Sequence, residues 1–171
     1  MLMENHIVVY REFDVRGMIA QDQALNIKSL SIGERIGGIY ASPDMWGKRG
    51  VGYGQSAADE YEAVGVNLTR ANNDRLAGVG RIHRALDHRM DMPPELWILD
   101  NCSDLIRVLP DLPSDPIRPE DVLKMDGDDP YESLRYGLMA ADARSPQVLG
   151  NQTGRWKLTT RKAPPQLTAP R

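Results

Sequence analysis

The chain has 171 residues, enough for one domain with a real hydrophobic core. With 41% hydrophobic and 26% charged residues it falls in the range of ordinary globular proteins, which excludes a fibrous or wholly disordered chain. The net charge of −3 is unevenly spread: residues 145–171 carry five basic residues and no acid, which leaves −8 for residues 1–144. A single cysteine, Cys102, excludes an internal disulfide and fits a reducing compartment. No apolar run reaches the length of a membrane span, and the N-terminal residues show no signal-peptide pattern. The expectation is a protein of the cytoplasm with no membrane partner.

In chain order, residues 5–13 are rich in β-branched and aromatic side chains and predict a strand. Residues 18–30 place Ile19, Ala20, Gln23, Ala24, Ile27 and Leu30 on one stripe and predict a helix that Gly33 ends. Residues 35–41 predict a short strand running into Ser42, Pro43 and Asp44. Residues 48–54 are a glycine-rich loop. Its pattern, GKRGVGYG, lacks the Lys-Ser/Thr ending of a Walker loop, which argues against ATP. Lys48 and Arg49 in that loop are candidate contacts to a DNA backbone. Ser56 and Asp59 have capping-box spacing for a helix that stops at Gly65.

A brief strand is expected at 66–70. A helix capped by Asn72 or Asn73 follows, with Leu76, Val79, Ile82, His83 and Leu86 inward. Residues 96–99 form a continuous apolar run, as in a buried parallel strand. Residues 103–109 predict a short helix, and Pro110, Pro113, Pro116 and Pro119 an extended connector. Next, Asp126, Gly127, Asp128 and Asp129 lead directly into a helix. Asp129 reads as its N-cap, Pro130 as its first residue and Glu132 as the capping-box acid. Tyr131, Leu134 and Leu138 form its buried stripe. Beyond Arg144 hydrophobic periodicity fades, which predicts a disordered basic tail able to touch phosphates or simply to stay solvated.

Strands alternating with helices predict an α/β layer fold with a substantially parallel sheet, in which ligands bind beyond the C-terminal strand ends. Asp44 and Asp100 follow two of these strands. The acids at the start of the last helix suit a divalent metal, because hard cations take carboxylate oxygens. The plainer alternative is that they only cap the helix. His6 and His88 lack metal-spaced partners, His83 on the inward helix face reads as core, Cys102 has no CxxC mate, and Trp46, near Asp44, reads as a packing residue with stacking on a base as the alternative.

Several stretches in order resemble the nuclease region of phage terminase large subunits. They are Tyr10-Arg11-Glu12-Phe13, Ser42-Pro43-Asp44, residues 54–58 (GQSAA), residues 63–66 (AVGV) and residues 71–78 (ANNDRLAG). Residues 96–102 (LWILDNC), 105–110 (LIRVLP), 126–129 (DGDD) and 134–139 (LRYGLM) continue the series. The similarity runs from Val8 to Ala140. It implies a ribonuclease H-like mixed sheet flanked by helices over residues 1–144, with 145–171 as a tail. It also implies metal-dependent cleavage of concatemeric viral DNA, with Mg²⁺ or Mn²⁺ held by Asp44, Asp128 and Asp129, the first two as the matched family acids. Glu132 stands where the family's last acid is usually Asp. Implied partners are double-stranded DNA, the terminase ATPase domain or an upstream fragment, the portal and the small terminase subunit. The family's first-strand acid and its ATPase domain have no counterpart here, so the resemblance is to a piece lacking its first strand. Two alternatives stand beside it: a non-catalytic remnant or accessory module, and an unrelated α/β protein whose acids only cap helices.

Overall fold

The computed structural model describes residues 6–48, 54–88 and 92–143. The expectations for Arg49 and for the tail lie outside the described residues. Among these residues four short strands alternate with helices, and a fifth helix closes the series: β1 (Ile7–Val9), α1 (Ala20–Leu30), β2 (Ile39–Ala41), α2 (Ala57–Ala63), β3 (Leu68–Arg70), α3 (Arg75–Leu86), β4 (Leu96–Ile98), α4 (Ser103–Val108) and α5 (Asp129–Ala143). The architecture is mixed α/β. The strands pair in parallel, β1 with β4 and β2 with β3, but they form two separate two-stranded sheets where the alternation predicts one.

The predicted strand at 5–13 narrows to Ile7–Val9 because the next side chains turn to other work. The Tyr10 hydroxyl donates to Glu34 at 2.7 Å, and Arg11 donates to the same carboxylate and to the Leu30 carbonyl. Glu12 reaches α4, accepting from the N–H groups of Asp104 at 2.8 Å and Leu105 at 3.0 Å. That helix has no capping side chain of its own, so a carboxylate from a distant segment satisfies its first amides.

In β1 the main chains of Ile7 and Val9 bond toward β4, through Ile7 N–H to Glu95 at 2.8 Å and Leu99 N–H to Val9 at 3.0 Å. Strand geometry therefore turns the Val8 N–H and C=O to the opposite edge, which is unpaired among the described residues. Tyr40 holds the same position in β2, whose Ala41 carbonyl accepts from Ala71 at 2.9 Å. Val8 and Trp97 stand opposite each other on the outer face and are about half exposed.

One core cluster joins α3, α4, α5 and the inner face of β1 and β4; a smaller one joins α1, α2, β2 and β3. The α5 stripe is as its spacing predicts, with Tyr131, Leu134 and Leu138 buried. The α3 face is not. Gly78, Val79, Arg81, Ile82 and Ala85 are buried, whereas Leu76, His83 and Leu86 are exposed. The cause is close approach to α5. A Cβ on Gly78 would lie 2.5 Å from Cγ of the fully buried Arg135, so the contact admits only glycine beside that arginine's stem.

Caps divide in the same way. The Ser56–Asp59 box forms as predicted, with bonds of 3.2 and 2.7 Å, and holds the Asp59 carboxyl below its usual range. For α3 the N-cap is Asp74, not Asn72 or Asn73; its carboxylate accepts from Ala77 N–H at 3.0 Å. The proline connector is not extended. It closes on itself through a Ser114–Val122 bridge and the Asp115–Asp121 and Leu123–Pro113 main-chain bonds. Among the described residues no helix is long and apolar enough to cross a membrane.

Candidate functional site

A cleft of about 870 Å³ opens between the β2 side and the start of α5, walled on a third side by the closed connector. Asp44, Asp128 and Asp129 all border it, as do Arg75, Lys124 and Glu132. Asp44 sits in a 3-10 turn, Pro43–Trp46, immediately past the C-terminal end of β2, and is exposed. The turn forms there because Ser42 Oγ accepts from Asp44 N–H and Pro43 fills a first-turn position.

The helix α5 starts one residue earlier than an Asp129 cap requires. Its first residue is Asp129 and Pro130 is its second, so Asp128 holds the capping position, its carbonyl accepting from Glu132 N–H at 3.0 Å. The Asp128 side chain is 5% exposed and accepts from Met125 N–H at 3.3 Å, folding back over the Asp126–Gly127 turn. Gly127 has φ +90°, which a side chain would strain. Asp129 is exposed.

The one-residue shift gives Glu132 a different role from the predicted capping acid. Its Oε1 accepts from Arg75 at 3.0 Å and its Oε2 accepts from Arg135. Arg75 also donates to Asp121 at 3.0 Å and to the Val122 carbonyl at 2.7 Å, and these carboxylates hold its guanidinium firmly charged. Arg135 extends the network to Asn73 at 2.9 Å and to the Asp74 carbonyl. Sequence reasoning missed this network. One signal was available: a cation in the first turn of α3 opposes the helix dipole and needs an external partner.

The donor set can be set against the metal that the resemblance implies. Both Glu132 oxygens are engaged by arginines, and Asp128 is buried with Oδ2 facing a main-chain amide. Among the described residues, no three carboxylate, imidazole or thiolate groups come together as a metal-holding cluster. Asp44, Asp128 and Asp129 share a cleft, but these residues do not by themselves fit a two-ion centre. Lys48 lies outside the cleft wall, bridged to Ser56, with Asp59 as its charged neighbour. No family model, curated protein or solved structure matches the chain.

Proposed function

We propose that the chain is the nuclease part of a DNA-packaging terminase large subunit, unable to cut DNA until further residues complete its cleft. The observation that carries this reading is the shared position of Asp44, Asp128 and Asp129 around one cleft, with Asp44 past the C-terminal end of a parallel strand. Ligands of open α/β sheets bind there. On this reading the two parallel pairs belong to one ribonuclease H-like sheet, which added strands would join. The partners are double-stranded DNA, the ATPase portion or an upstream fragment, the portal and the small subunit, with Mg²⁺ or Mn²⁺ as cofactor. A two-ion nuclease needs enough carboxylates to hold both ions, and the described acids supply part of that set.

The test is plasmid nicking by the purified protein with Mn²⁺. The expected result is little or no cleavage alone, cleavage on adding an upstream segment that bears a strand and an aspartate, and its loss again on Asp44→Ala. No cleavage by the completed assembly would reject the nuclease reading. A second reading, a non-catalytic accessory module of the packaging machinery, draws support from the Arg75–Glu132–Arg135 network, which commits one of the motif acids to structure.

A further inference from the structure

Beside the cleft runs a groove of about 410 Å³. Ile7 and Val9 of β1 and Leu134 and Leu138 of α5 line it, with Asp14 and Asp129 at its rim. No residue of β4 borders it, so it lies on the side to which Val8 turns its unpaired main chain. Asp129 and Ser133 border both hollows, which are neighbours across the start of α5. The neighbouring charges are already spent: Arg11 pairs with Glu34, and Glu12 caps α4. Asp14, Asp44 and Asp129 make no ion pair among the described residues.

The groove thus presents an open strand edge, an apolar floor and uncompensated carboxylates. A complementary occupant is extended, apolar on one side and basic on the other. The sequence Arg155-Trp156-Lys157-Leu158-Thr159-Thr160-Arg161 has that alternation, which ends at Lys162. Trp156, Leu158 and Thr160 fall on one side, and Arg155, Lys157 and Arg161 on the other. We propose that the groove beside β1 is the docking site of this segment of the chain, with its apolar side on Val9 and Leu138 and its cations toward Asp14 and Asp129.

Length permits it. The 15-residue α5 is about 22 Å long and Leu138, near its end, already borders the groove, while the 12 residues from Arg144 to Arg155 reach up to about 40 Å. Tethering also gives the segment an effective concentration of roughly millimolar, which a free partner seldom matches. The inference does not depend on the nuclease reading.

The experiment is amide hydrogen exchange on the full-length protein. The wild type is compared with Trp156→Asp/Leu158→Asp and with Arg155→Glu/Lys157→Glu/Arg161→Glu, using α2 amides to check that the fold is intact. Docking predicts that the Val8 amide exchanges at least about tenfold faster in both variants, with α2 unchanged, and that high salt weakens the wild-type protection. Equal Val8 exchange in all three proteins would overturn the proposal. Protection that grows with protein concentration would overturn it as well, by placing the segment on a second copy.

Discussion

Tyr131 is 3% exposed, and its hydroxyl meets no hydrogen-bond partner among the described residues. Burial pushes its pKa up from 10 to about 12. Above pH 10 the unfolded chain releases this proton while the folded chain retains it. Stability from this residue is therefore full below pH 10 and is lost as pH rises toward 12. Tyr131→Phe removes the unpaired group and keeps the ring. The expected outcome is a gain of about 1 kcal/mol at neutral pH and a flatter decline between pH 10 and 12, read from urea unfolding at several pH values. A lower midpoint in the variant would mean that the hydroxyl has a stabilising partner.

At the scale of elements, what the sequence disclosed was local. The α2 box forms as read because Ser56 and Asp59 satisfy each other within one turn. The start of α5 is displaced by one residue because two adjacent aspartates can both cap, and proline is tolerated at either of the first two helical positions. The inward face of α3 was misread at Leu76, His83 and Leu86, because periodicity counts them as core and cannot see that Arg81 and Arg135 are buried, Arg135 with its apolar stem against Gly78. The α4 cap was invisible for the opposite reason: Glu12 lies far away in sequence. Glu12→Ala leaves the Asp104 and Leu105 amides without an acceptor. It is expected to cost about 1–2 kcal/mol and to speed exchange of those two amides. Unchanged exchange there would show that the cap is dispensable.

At the scale of the molecule, Arg75 ties the connector to α5. It holds Asp121 and the Val122 carbonyl on one side and Glu132 on the other. The Asp121 and Glu132 side chains are only 7% and 15% exposed, so removing their shared cation strands poorly solvated carboxylates. Arg75→Ala should lower stability by about 2–4 kcal/mol, with partial rescue by Arg75→Lys, whose point charge cannot serve three acceptors at once. Denaturant midpoints at constant slope check this, and full rescue by lysine would deny the role of the fork. The cleft was legible in the sequence as a set of acids, Asp44, Asp128 and Asp129, past a strand and at a helix start. Their partition into exposed and committed groups was not, because long-range arginines decide it.

The pairing of β1 with β4 sets a timetable for synthesis. Ile7 meets Leu96 and Val9 meets Ile98, so β1 cannot be secured until roughly 90 further residues have been translated, a delay of about 5–20 s. Throughout that interval Ile7, Val8 and Val9 form an apolar β-prone stretch with no template on the nascent chain. The order of translation makes the first strand the last to be fastened, and a chaperone's opportunity at the ribosome closes only when β4 emerges.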